Sequence, residues 1–116
     1  MECVSFEVLL KVLAFERMCG KIDVLTMTGG AAKSDVWKTV LSSVLNREVI
    51  SIKNSDIAAI GAAVIASYGF GEQNDLKQSS KSVKVERRSV LPHHDIKNKY
   101  KEKFNRYLEF RKFCTM

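Results

Sequence analysis

Apolar residues change their spacing several times along this chain, and each change marks an element. In residues 3–19, Phe6, Val8, Leu9, Leu10, Val12 and Leu13 recur at helical spacing and predict a helix. Gly20 is placed to stop it, since glycine takes a left-handed conformation at little cost. Residues 22–28, Ile-Asp-Val-Leu-Thr-Met-Thr, are rich in β-branched types and run into Gly29-Gly30, which predicts a strand and then a glycine turn. A second helix is predicted over 34–45, where Val36, Trp37, Val40, Leu41, Val44 and Leu45 form one stripe. Ser34 suits its N-cap, and Asp35 suits the positive end of its dipole.

Residues 48–52, Glu-Val-Ile-Ser-Ile, predict a second short strand. A third helix follows over 56–68, apolar nearly all round and rich in alanine, and is expected to be buried on most sides. Gly61 in its middle costs about 1 kcal/mol against alanine, so a close helix or backbone contact is expected there. Beyond Gly71 the chain turns polar, and residues 72–92 predict a short helix and an extended loop ending at Pro92. A last helix is predicted over 95–113, with Ile96, Tyr100, Phe104, Tyr107 and Leu108 on one stripe and Lys97, Lys99, Lys101, Lys103 and Arg106 mainly off it.

The order is α-β-α-β-α, a polar loop, then α. Two strands joined by a helix are expected to be parallel. Such a pair makes a poor independent fold, because parallel sheets need cover on both faces and further neighbours. The chain therefore reads as part of a larger α/β unit.

Length and charge narrow the functions. At 116 residues the chain holds at most one ordinary domain. No apolar run reaches the roughly 18 residues of a membrane span, and the N-terminus, with Glu2 and Glu7 and no basic region, is unlike a signal peptide. Cys3, Cys19 and Cys114 form no C-x-x-C pair, and His93 and His94 are adjacent, which argues against a disulfide framework and a metal site. A cytoplasmic, reducing setting fits these features. The net charge of +6 invites a nucleic-acid partner. Its distribution does not: residues 1–75 hold seven basic and nine acidic side chains, and residues 76–116 hold twelve and four. The basic excess thus sits on the last third, where the aromatic residues fall on the inward stripe instead of between the cations.

Candidate chemistry sits at Thr28-Gly29-Gly30-Ala31-Ala32-Lys33-Ser34, between a strand and a helix start. Two glycines allow backbone to approach a phosphate, and free N–H groups at a helix start favour an anion. The spacing matches neither the P-loop nor the dinucleotide-binding fingerprint. Alone, the glycine pair fits a simple tight turn better than a phosphate site.

Gly29-Gly30-Ala31-Ala32-Lys33-Ser34-Asp35-Val36-Trp37 resembles the adenosine-motif segment of the FGGY carbohydrate kinases, above all the xylulokinase branch. Asp56-Ile-Ala-Ala-Ile-Gly-Ala-Ala-Val-Ile-Ala-Ser67 resembles the alanine-rich helix that follows in that family. The first helix from Glu2, and Pro92 with Tyr100, Phe104 and Tyr107, resemble the flanking helices. The resemblance implies an α/β fragment of the C-terminal actin/hexokinase-like (ribonuclease H-like) ATPase lobe, α-β-α-β-α plus a C-terminal helix, with a short parallel strand pair. Residues 1–71 would form the nucleotide-binding part, 72–92 a polar connection, and 93–116 a basic amphipathic helix packed on the same lobe.

It further implies ATP with Mg2+, and a sugar substrate bound through a lobe outside this chain. Gly29 and Gly30 would approach the nucleotide phosphates through backbone, with Ala31 beside them and Ser34 near the adenosine. The family's catalytic aspartate and its metal ligands lie outside this chain, so an isolated fragment is expected to be inactive, and no catalytic or metal residue is assigned. Thr39 stands where the family usually has Gln, and Ser42-Ser43 where it has Ala-Asp, which bears on the fit of the adenine. Two other roles stay open: a non-catalytic interaction remnant that associates through apolar faces around 57–66, and a basic nucleic-acid-binding module.

Overall fold

Helix α1 spans Glu2–Cys19 in the computed structural model, which describes residues 1–53, 56–71 and 75–114 and, of Ser82, the backbone alone. The opening residues of the 72–92 segment and the last two of 93–116 lie outside the described residues. Gly20 closes α1 at a φ of 87°, its N–H donating to the Glu16 carbonyl at 3.0 Å. Strand β1 (Val24–Met27) leads through the glycine turn to α2 (Asp35–Leu45), and β2 (Glu48–Ile52) follows. Then come α3 (Ile57–Gly69), α4 (Leu76–Ser82), β3 (Arg87–Val90) and α5 (Lys97–Cys114).

β1 and β2 pair in parallel, Leu25 opposite Val49, as the strand–helix–strand order requires. The sheet has three strands, however, in the order β1-β2-β3. β3 lies in the stretch expected to be an extended loop and pairs antiparallel to β2, with Val49 opposite Val90 and Ser51 opposite Arg88. Arg-Arg-Ser-Val hides the strand because it is an edge, where charged side chains are the usual means of discouraging further pairing.

The core lies on one face of this sheet. Val12 of α1, Leu41 and Leu45 of α2 and Val49 of β2 are buried together, with Val8, Leu9, Ile22, Leu25, Met27 and Trp37 packed around them. α5 joins through its predicted stripe: the Phe6 ring meets Phe104 and Tyr107 at centroid distances of 5.6 and 5.3 Å. The Tyr107 hydroxyl donates to Glu7, which raises its pKa, and Lys103 and Arg111 reach Glu2 and Glu7 at 2.7 and 3.0 Å. Those ion pairs are exposed and contribute little. The rings hold the helix.

Polar ties fix the chain after β3. The buried Ser42 hydroxyl is shared between the carbonyls of Thr39 at 3.1 Å and Leu91 at 3.4 Å. Ser43 Oγ accepts the His93 N–H at 3.2 Å, and the buried Ser51 hydroxyl donates to the Arg88 carbonyl at 3.2 Å.

α3 departs from expectation. None of its described residues is buried, and Ile65 and Tyr68 are 63% and 46% exposed. A Cβ placed on Gly61 would meet no atom within 4 Å, so the close contact expected there is absent. An all-apolar helix is suited to cover on every side, and here α3 packs chiefly on α4. The extended outline agrees: the radius of gyration is 17.7 Å, against about 13 Å for a compact domain of this size.

Glu16 links α1 to the turn before β2. Its carboxylate accepts from Arg47 Nη2 at 2.9 Å and from the Ile22 N–H at 2.9 Å. Arg47 Nη1 lies 2.9 Å from Oε1 outside hydrogen-bonding alignment, a charge contact only. The Arg47 hydrogen bond, then that of Ile22, hold the Glu16 carboxyl below its usual 4.5. A depressed folded-state pKa stabilises the fold fully above the unfolded value, and that stability is lost as pH falls through the folded one. Between pH 5 and pH 3, the urea midpoint of the native chain is therefore expected to fall more steeply than that of Glu16→Gln. Parallel curves would deny the link any stabilising role.

Candidate functional site

The glycine turn is shaped by one residue that must be glycine. Gly29 has φ 79° and ψ −162°, a combination essentially reserved to glycine. It turns the chain out of β1 into a single 3-10 turn, Gly30–Lys33, between the expected glycine turn and the expected start of α2 at Ser34. The Ala32 N–H donates to the Gly29 carbonyl at 3.1 Å and the Ser34 N–H to the Ala31 carbonyl at 3.2 Å. Buried Ala32 pins the turn from below. The N–H groups of Gly30 and Ala31 precede its first internal bond and have no partner within the turn. A Cβ on Gly29 or Gly30 would meet nothing within 4 Å, so this stretch of main chain is open to an approaching ligand.

Ser34 caps α2 as its sequence position predicts. Its Oγ accepts the Trp37 N–H at 3.2 Å, and its own O–H remains available to donate. Gly29, Gly30, Ala31 and Ser34 are thus gathered on one turn at the carboxyl ends of two parallel strands, the usual place for ligands in open α/β sheets.

A cleft of about 430 Å³ opens beside that turn, between the start of α2 and the β2–β3 edge. Its charged lining is Lys33, Lys38, Lys53 and Arg88 against Asp35 and Glu86. Lys38 is 5% exposed, and its ammonium lies 2.7 Å from Asp35 Oδ1. Arg88 Nη1 reaches the same oxygen at 3.3 Å, and Lys53 meets Glu86 at 3.0 Å. The Lys38 hydrogen bond and charge, with Arg88 behind them, hold the Asp35 carboxyl below its ordinary value. Among the described residues four cations face two carboxylates, so the cleft favours anions.

Lys38, Lys53, Glu86 and Arg88 carry no motif. Arg88 reaches Asp35 only because β3 pairs with β2, and the sequence signal for that strand was masked by its charges. The three positions that depart from the FGGY pattern serve internal bonds: Thr39 Oγ1 donates to the Asp35 carbonyl at 2.9 Å, and Ser42 and Ser43 hold the chain after β3. Trp37 packs against the core, as its stripe position suggests. His93 and His94 are exposed, as are the three cysteines, which are free. Among the described residues no three His, Cys, Asp or Glu side chains gather to hold a metal, and no helix is long and apolar enough to cross a membrane.

Residues 1–70 match the family model described as the C-terminal domain of the FGGY family of carbohydrate kinases. The xylulose kinase of Bacillus subtilis is 27% identical over 107 residues, which make up 92% of this chain and 21% of that protein. A glycerol kinase of Mycoplasmoides gallisepticum is 37% identical over 67 residues, 58% of this chain and 13% of that protein. The crystal structure of a ligand-bound xylulose kinase from Lactobacillus acidophilus superposes with a TM-score of 0.78 over 97% of this chain and 23% of that one. At 19% identity that likeness is one of fold, the actin/hexokinase-like fold. The chain spans about a fifth of the length of the xylulose kinase relative.

Proposed function

The chain belongs to the FGGY family of carbohydrate kinases, as a C-terminal segment, and on that premise we propose that it forms the nucleotide side of an ATP-dependent transfer of phosphate to a sugar hydroxyl, with a xylulose-like sugar favoured. The observation that carries the proposal is the open main chain at Gly29 and Gly30 beside a cationic cleft at the strands' carboxyl ends. Gly29 and Gly30 would meet the nucleotide phosphates through backbone, with Ala31 alongside, and the Ser34 hydroxyl would donate toward the adenosine. Such phosphoryl transfer rests on positioning and on stabilising the charge of the γ-phosphate.

The residues present fit phosphate better than metal. Asp35 is engaged by Lys38 and Arg88, and Glu86 by Lys53. Mg2+ would therefore arrive on the nucleotide, without a ligand from this cleft. The same engagement removes both carboxylates as bases for the sugar hydroxyl. The sugar and the base would be supplied by a part of the enzyme outside this chain, in a cytoplasmic setting that suits its free cysteines.

The test is titration of the 116-residue chain with MgATP, followed by the fluorescence of Trp37 at the start of α2. Saturable binding below about 1 mM, the upper end of ordinary enzyme KM values, with no sugar phosphate formed, is the expected result. No binding at that concentration would refute the nucleotide role. A scaffold role has one observation in its favour, the uncovered α3. Self-association by light scattering in a chain that ignores ATP would favour it.

A further inference from the structure

We propose that β3, which lies beyond the residues 1–70 matched to the family domain, supplies a working wall of the nucleotide cleft, and that Arg88 binds the phosphate chain there. The proposal deepens the nucleotide role advanced above and rests on it. The cleft is continuous with the glycine turn, since Ala32 and Lys33 belong to both. A nucleotide whose phosphates touch the backbone of Gly30 thus has this cleft as its neighbouring space.

Among the cations of the cleft that are paired with a carboxylate, Arg88 is placed to change partner. Lys38 is buried and committed: its ammonium is 2.7 Å from Asp35, and leaving would strand a buried charge. Lys53 has Glu86 at 3.0 Å, and among the described residues Glu86 is paired with no second cation. Arg88 differs. Its side chain is exposed, as that of Lys53 is, but it shares its carboxylate with Lys38, and its contact with Asp35 is the longer of the two. If Arg88 swings away, Asp35 keeps Lys38 and remains neutralised. An exposed pair of this length contributes little to the fold. A guanidinium on phosphate forms two parallel charge-assisted hydrogen bonds, which are among the stronger polar contacts. The exchange of Asp35 for phosphate therefore runs downhill.

The main chain of Arg88 stays in place during that exchange. Its carbonyl accepts from Ser51, and it sits opposite Ser51 in the strand register. Only the side chain moves, from a fixed base on the sheet edge.

The experiment compares the native chain with Arg88→Gln, Arg88→Lys and Lys99→Gln, the last removing one charge from the outer face of α5. Each is titrated with MgATP, with adenosine and with inorganic tripolyphosphate. Arg88→Gln is expected to weaken MgATP and tripolyphosphate about tenfold, as for loss of one charge-assisted contact, and to leave adenosine unchanged. Arg88→Lys should recover part of the loss, and Lys99→Gln should match the native chain. Thermal midpoints within a degree or two of the native value would show that the variants are folded.

Equal ATP affinity in native and Arg88→Gln chains would overturn the role of Arg88 while leaving the nucleotide role standing. Tripolyphosphate binding that depends on Arg88, in a chain that ignores ATP and adenosine, would uphold the anion wall and overturn the nucleotide role. Binding of none of the three ligands by the native chain would overturn both.

Discussion

Leu45→Ala is expected to lower the unfolding free energy by about 2–5 kcal/mol. Leu45 is 4% exposed at the end of α2 and packs with Val12, Leu41 and Val49, where α1, α2 and β2 converge. Truncation loses the transfer energy of the removed carbons and leaves a cavity that three elements cannot close together. The loss weighs heavily here. A chain of this size has a stability of roughly 6–17 kcal/mol, and the extended outline and bare α3 place this one low in that range. In urea the midpoint should fall with the slope unchanged. Leu91→Ala, at a position 67% exposed, should stay within about 0.5 kcal/mol of the native chain. A Leu45→Ala chain as stable as the native one would show that the helices do not close over β2 as described.

The second large effect separates the two glycines of the turn. Gly29→Val puts a β-branched residue at φ 79° and ψ −162°, a conformation that costs about 1–3 kcal/mol for a non-glycine residue. Space is not the obstacle, since a Cβ there meets nothing within 4 Å. The main chain must therefore rotate, and the turn that presents the Gly30 and Ala31 N–H groups is lost with it. Gly29→Val is expected to be less stable by that amount and to lose ATP binding at least tenfold. Gly30→Ala is expected to differ. Gly30 has no positive φ, and its Cβ would also stand in open space. Stability should stay within about 0.5 kcal/mol of native, and any loss of ATP affinity would report a methyl group standing where the phosphate approaches. If Gly29→Val bound ATP as well as the native chain, the glycine turn would have no part in the site.

Much of this was legible in the residues because the signals were local. The stripe of α2, the Ser34 cap and the inward side of α5 each depend on spacing within one helix. The parallel pairing of β1 with β2 depends only on the connection between them. What stayed hidden was non-local. β3 reads as a polar loop because Arg87 and Arg88 face solvent at a sheet edge. α3 reads as a core helix because apolarity reports what a helix is suited to pack against, and says nothing of whether the partner is present. The same division holds for the site. Gly29, Gly30, Ala31 and Ser34 lie within six consecutive residues and carry a recognisable pattern, whereas the cationic wall joins side chains from α2, the residue after β2 and β3 that only the sheet brings together.

The serines that hold the chain after β2 have one further consequence. Ser42, Ser43 and Ser51 bond to the main chain of Leu91, His93 and Arg88, and to none of their side chains. Attachment of this kind is blind to side-chain identity. The strip from Arg88 to His93 can exchange its exposed side chains without loosening from the domain, so the composition of the cleft wall is adjustable independently of the fold that carries it. If Arg88 holds the phosphate chain as proposed, single substitutions there would retune ligand preference and leave stability almost untouched.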